Sequence, residues 1–211
     1  MSEQAEPTVP TDNQDEPVPA KGEVLVAAPA EPENEEKARL RALIRTTPDP
    51  VLRQKAKPVR HINAGVRAML DLMGKVMYAG NGVGLAAPQV GFSKRAIVYD
   101  VGEGLRELVN PEITRVSQER VTDLEGCLSV PGLWGDVERY ETVQVTGLDR
   151  NGHRVWVEAS GLEARAIQHE IDHLDGVLFT DKATNVREIK PDSEPESGTE
   201  GEPAPPEASG P

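Results

Sequence analysis

The chain has 211 residues, a formal charge of -13 at neutral pH and a single cysteine. No stretch approaches the ~20 consecutive apolar residues of a membrane-spanning helix, so a soluble protein with no membrane partner is expected. One cysteine excludes an intramolecular disulfide, which fits a reducing compartment, and the N-terminus has neither a signal peptide's apolar core nor a transit peptide's arginines; the expected location is cytoplasmic.

The charge is concentrated at the ends. Residues 1–36 hold ten acidic residues against Lys21, a net of -9, and residues 185–211 hold seven against Arg187 and Lys190, a net of -5, which leaves +1 for residues 37–184. Both ends are rich in Pro, Glu, Ser and Ala and poor in large apolar residues, so they do not bury enough surface to offset the entropy of ordering. The expected organisation is an acidic, proline-rich disordered tail over 1–36, one domain over 37–184, and a second such tail over 185–211.

In chain order, Lys37 to Ile44 reads as a short helical lead-in, and Pro48, Pro50 and Pro58 mark an extended, turn-rich passage. Asn63 is placed to cap a helix in which Val66, Met69, Leu70, Met73, Val76 and Met77 recur at spacings of three and four, ending at Asn81-Gly82. The methionines of that stripe are expected in the core. Gly82 to Gly91 (GVGLAAPQVG) contains the G-x-G-x-x-A of a dinucleotide site, but a helix precedes it and Pro88 breaks the helix that such a site needs after it. The small residues are better read as permitting close approach of backbone or substrate.

Strands are expected at Ala96–Asp100, Leu105–Asn110, Ile113–Gln118, and Thr142–Leu148 paired with His153–Ala159 through the turn Asp149-Arg150-Asn151-Gly152. Glu125-Gly126-Cys127-Leu128-Ser129-Val130-Pro131-Gly132 lies between them. The successive strands and one long late helix indicate an α+β domain, antiparallel strands packed on that helix, rather than alternating βαβ units.

That helix is expected over about 161–175, with Ser160 and Glu163 as a capping box and Gly176 as its stop. At roughly 100° per residue, Leu162, Ala166, His169 and His173 form one stripe, Ile167, Ile171 and Leu174 a second, and Arg165, Gln168, Asp172 and Asp175 the far side. Glu170 falls between the two inward stripes. Two histidines four residues apart with a carboxylate beside the first is a metal-hydrolase spacing. A third ligand is required, and Cys127 as thiolate would complete a three-ligand site with one position open. A lone cysteine is otherwise a small buried hydrophobe, and His61 and His153 are expected at the surface.

Three stretches, Gly82–Val90 (GVGLAAPQV), Glu125–Pro131 (EGCLSVP) and Gln168–Gly176 (QHEIDHLDG), resemble in this order the signature motifs of the peptide deformylases, and Asp49-Pro50-Val51-Leu52-Arg53 is similar to that family's N-terminal segment. The likeness covers about residues 45–182. It implies removal of the formyl group from the N-terminal formylmethionine of new polypeptides, Cys127, His169 and His173 as metal ligands, and Glu170 as general acid/base. It further implies Gln89 and the Leu128 amide as donors to the formyl oxygen, and Gly84 pairing with the substrate backbone as an added strand. Gly82, Val83, Leu162 and Ala166 would complete the substrate site, with Val83, Leu162 and Ala166 around the methionine side chain. One divalent ion is implied, iron(II) first, with zinc, nickel or cobalt able to replace it. The partners would be formylmethionyl nascent peptides met in transient proximity to the ribosome. No direct nucleic-acid binding is expected from acidic ends. Two alternatives stand beside this one: a zinc endopeptidase, which needs an acidic or histidine ligand after His173, and a catalytically silent metal-stabilised binding module.

Overall fold

The computed structural model describes residues 35–188, and the expectations for 1–34 and 189–211 lie outside the described residues. Helix α1 spans Glu35–Arg41, with acidic residues in its first turn and basic ones in its last, the order that its dipole favours. Helix α2 spans Ala64–Ala79 and begins as expected, with Asn63 Oδ1 accepting from the Val66 amide at 3.0 Å. Strands β1 (Gly84–Ala86), β2 (Ala96–Tyr99), β3 (Arg106–Val116), β6 (Thr142–Leu148) and β7 (Arg154–Ser160) form a five-stranded antiparallel sheet in the order β1-β2-β3-β6-β7. Strands β4 (Arg120–Cys127), β5 (Val130–Tyr140) and β8 (Thr184–Glu188) form a second antiparallel sheet in the order β4-β5-β8. Helix α3 spans Gly161–Leu174 and touches strands of both sheets. The architecture is α+β, as the order of elements in the sequence suggested.

Alternation within β2 assigns the two faces of the larger sheet. Ala96 and Val98 point to α2, where they meet Met69, Met73, Val76 and Met77, while Ile97 and Tyr99 point to α3 and meet Ile167, Ile171 and Leu174. The methionine stripe is therefore core, as expected, and α2 and α3 lie on opposite faces of one sheet. A third cluster of Leu52, Val130, Val137, Leu178 and Phe179 packs beneath Cys127. Each such fully buried side chain contributes about 1.5–3 kcal/mol relative to exposure.

Five expectations are corrected. The strands placed at 105–110 and 113–118 are one strand, β3, whose register shifts where Asn110 takes a φ of 52° before Pro111; the irregularity bends the strand without ending it. The long β4–β5 hairpin was not anticipated, because the first four residues of β4 are all solvent-facing, without the alternation that marks a half-buried strand. Ser160 makes no side-chain capping bond; the start of α3 is held by the Gly161 amide donating to the Glu141 carbonyl, with Gly161 at φ 54°. Arg165 and Gln168, assigned to the outer side of the helix, are buried, since the second sheet covers that side. Finally, residues 185–188 continue an ordered strand, so the folded unit passes the expected boundary at 184: Trp134 on β5 pairs with Arg187, and Leu133 with Glu188. Gly176 does end α3, at a φ of 77° and with space only for hydrogen, because a Cβ would lie 2.7 Å from the Arg53 carbonyl oxygen.

Candidate metal centre

Two elements meet at one point. Cys127 is the last residue of β4, His169 and His173 stand one turn apart on α3, and their donor atoms all lie within 4.8 Å of one another. Cys127 Sγ is 3.2 Å from His173 Nε2. Donors held about 2.0–2.3 Å from a shared tetrahedral ion stand roughly 3.3–3.7 Å apart, a spacing that the Cys127–His173 pair already approaches. The chemistry of the donors agrees, since a thiolate with two imidazoles suits a borderline divalent ion.

The ligands are prearranged. Glu125, two residues before Cys127 and on the same side of β4, accepts from His169 Nδ1 at 2.9 Å. A carboxylate only accepts, so Nδ1 carries the proton and Nε2 is the ring's free donor. Burial alone would raise the Glu125 carboxyl, but hydrogen bonds from Arg139 and His169 outweigh it and hold the group far below the usual carboxylate range. Burial holds His173 well below the ordinary imidazole value, hence neutral and competent as a ligand. Phe179 stacks at 6.3 Å behind the His169 ring.

Glu170 is 4 % exposed, and its Oε2 has no hydrogen-bond partner among the described residues. Burial, reinforced by the nearby Glu125 carboxylate, pushes its carboxyl up to about 7. A buried carboxyl without a partner is costly unless it has work to do. Gly84 makes room for it, since a Cβ there would collide with Glu170 Oε1. The Gln89 carboxamide is held at both ends. Its Oε1 accepts from the Ala86 amide at 2.7 Å, and its Nε2 donates to Ser129 Oγ at 3.1 Å and lies 3.6 Å from Cys127 Sγ. The orientation leaves the NH2 group toward the metal ligands. The Leu128 amide, in the turn after Cys127, donates to no group among the described residues. The Leu128 side chain fills the space over Gly80 and Gly82, where a Cβ would lie 2.9 and 2.8 Å from its Cδ1.

The structure thus brings together Cys127, His169, His173, Glu170, Gln89, Gly84 and Leu128. Leu162 lines a cavity of about 110 Å³ with Val121, Asp123, Arg139 and Arg165 rather than with Val83 or Ala166. Ala166 is buried, and Val83 is half-exposed beside Gly84. Trp134 turns inward against Gly126, where a Cβ would lie 2.9 Å from its ring. The sequence reading gives no role to Glu125, Arg139, Arg165 or Ser129. Two spacings carried the signal: Glu125 is two residues before Cys127 on a strand, and Arg165 is four before His169 on a helix.

A fold of antiparallel strands around a helix bearing two histidine ligands, with a third ligand from a neighbouring strand and an adjacent buried carboxyl, defines a metal-dependent hydrolase. The family model described as "Polypeptide deformylase" matches residues 42–188. A peptide deformylase of Carboxydothermus hydrogenoformans is 58 % identical over 138 residues, covering 65 % of this chain and 90 % of the relative, and one of Symbiobacterium thermophilum is 57 % identical over 156 residues, covering 72 % and 71 %. Among solved structures, the peptide deformylase of Thermotoga maritima superposes with a TM-score of 0.66 at 43 % identity, covering 67 % of this chain and 96 % of that one. The chain belongs to the polypeptide deformylase family, hydrolases that remove the N-terminal formyl group from newly made polypeptides. The Cys127, His169 and His173 cluster fits a single metal ion. No helix among the described residues is long and apolar enough to cross a membrane.

Proposed function

We propose that Cys127, His169 and His173 hold the ion and that Glu170 is the general acid/base of deformylation. The convergence of three donors within 4.8 Å beside a buried, unpartnered carboxyl is the observation that carries this reading. When bound, a divalent ion in this cradle supplies a water of low pKa and polarises the formyl carbonyl. Glu170 takes the proton of the attacking water and returns one to the leaving amine. The Gln89 NH2 group and the Leu128 N–H donate to the oxygen that becomes negative in the tetrahedral intermediate, a contribution of about 3–4 kcal/mol per donor in well-studied hydrolases. The substrate backbone pairs with β1 at Gly84; β1 is an edge of its sheet, so a strand can be added there. The first side chain, methionine, lies near Gly82, Val83, Leu162 and Ala166.

The ion is taken to be iron(II), as the family resemblance implies, with zinc, nickel and cobalt able to occupy the same donors. The enzyme acts in the cytoplasm on formylmethionyl peptides as they leave the ribosome, in passing proximity and without binding nucleic acid, because anionic ends disfavour contact with anionic RNA. Residues 35–188 are the catalytic unit, and the acidic ends are dispensable for turnover. The endopeptidase alternative needs a downstream ligand, and Asp175 is instead engaged by Arg95 at 2.7 Å.

The deciding experiment is anaerobic release of formate from a formyl-Met tripeptide, with metal quantified in the same sample. Formate at a rate proportional to metal content is the expected result. Metal-replete protein that releases no formate would return the chain to the binding-module alternative.

A further inference from the structure

We propose that Arg165 is a positioning residue for the metal centre, holding His169 through Glu125. The inference rests on His169 being a metal ligand. Arg165 touches none of the three donors. It lies one turn before His169 on α3, and its Nη1 donates to Glu125 Oε1 at 2.8 Å and to the Val137 carbonyl at 2.9 Å, while Nη2 donates to the Val121 carbonyl at 2.8 Å. One guanidinium thus spans the helix that carries two ligands, the strand β4 that carries the third, and the neighbouring strand β5.

Glu125 is where these bonds matter. Its Oε1 accepts from Arg139 Nε at 2.9 Å and from Arg165, and its Oε2 accepts from Arg139 Nη2 at 2.9 Å and from His169 Nδ1 at 2.9 Å. Arg139 holds the carboxylate from one direction only, as a bidentate pair whose other guanidinium nitrogen is bonded to Asp172. Arg165 adds a bond from outside that pair and ties it to backbone carbonyls that do not rotate. The carboxylate oxygen facing His169 is then fixed in angle as well as distance, and with it the plane of the imidazole. Burying a guanidinium for stability alone is poor economy, since an apolar side chain of equal volume usually does as well. A positioning role gives the burial a purpose.

The test uses the full-length nickel form. Arg165→Met is expected to raise the metal dissociation constant, read by chelator competition, by roughly 10- to 100-fold, the usual loss for partners that orient metal ligands. At saturating nickel, kcat for a formyl-Met tripeptide falls while KM holds, and in the cobalt form the thiolate charge-transfer band shifts. Arg165→Lys, which regains the contact to Glu125 but not both carbonyls, recovers part of the affinity. In a double-mutant cycle with Glu125→Gln the two losses do not add, because both act through one carboxylate. Wild-type affinity in folded Arg165→Met overturns the proposal, as do additive losses in the cycle. Should Arg165→Met not fold, Arg165→Lys decides: weakened nickel binding supports the proposal and unchanged binding overturns it. His169→Ala separates this inference from its premise. Loss of metal in His169→Ala with none in Arg165→Met refutes the positioning role alone, whereas retention of metal in His169→Ala refutes the ligand assignment.

Discussion

Along α3, Ala164, Ile167, Ile171 and Leu174 pack on Ile97, Tyr99, Val143 and Val145 of the larger sheet, whereas Arg165, Gln168 and Asp172 meet the smaller sheet through hydrogen bonds and ion pairs. The apolar side gains from the area it buries and tolerates apolar exchanges that conserve volume, since its contacts have no required direction. On the other side, Asp172 accepts from Arg139 and from Lys182, Gln168 bonds both the amide and the carbonyl of Tyr140, and Glu125 gathers Arg139, Arg165 and His169. Such buried ion pairs add little net stability, because the cost of removing charges from water offsets their attraction. Their directionality is what differs: the apolar side determines that the helix docks, and the polar side determines the angle at which its histidines arrive.

The largest effect expected is at the point the two sides serve. Cys127→Ala or His173→Ala removes a donor, so metal content and formate release should vanish together, checked by elemental analysis of the same preparations. Glu170→Gln is next. It keeps size and polarity, so the protein should bind one ion per chain and stay folded while kcat drops by about 100- to 10,000-fold, the usual share of general acid/base catalysis. Near-normal kcat with metal bound would show that Glu170 is not the base.

The contrast itself is tested by a pair of substitutions. Ile167→Ala should lower unfolding free energy by about 2–5 kcal/mol through the cavity it leaves, with no change in metal affinity. Asp172→Asn leaves Arg139 with a weaker partner and should cost less, about 1–3 kcal/mol, while measurably loosening the metal. Denaturant unfolding of the metal-free proteins and chelator titration of the loaded ones give the two numbers for each variant. If Ile167→Ala loosens the metal as much as Asp172→Asn does, the two sides are not distinct in function. The smallest effect concerns the ends: a protein cut to residues 35–188 should keep kcat/KM within about 2-fold, since segments poor in apolar residues have little to add to a core. Insoluble protein or a large loss of kcat/KM would refute this.

The apolar side of α3 is legible in the sequence for the same reason that it is permissive. Ile167, Ile171 and Leu174 repeat at helical spacing, and the methionines of α2 do the same, so both helices and their inward faces follow from periodicity. The ligands are legible because two histidines with a glutamate, and a cysteine between Gly126 and a Pro-Gly turn, are unusual enough in kind to stand out. What periodicity misses is polar. It assigns Arg165 to solvent although that residue stands four before His169, because arginine is rarely buried. Its burial depends on the β4–β5 hairpin, whose polar strand β4 offers no alternation to read, and on the partners Glu125, Val121 and Val137, which are distant in the chain. Strand β8 escapes likewise: Thr184–Glu188 is exposed throughout and is defined by pairing with β5 rather than by any side chain it buries.

Leu128, the residue after Cys127, rests its side chain on Gly80 and Gly82. The end of α2, the glycine-rich segment and the cysteine turn therefore share one seam, and none of the three can change size alone. A methyl group added at Gly82 would push on Leu128 and so shift the turn that carries the amide proposed to donate to the formyl oxygen. Genetically, such a lesion would look catalytic and yet be reversible by shortening residue 128. Over evolutionary time these positions should drift as a set, in coordinated exchanges, rather than as independent sites.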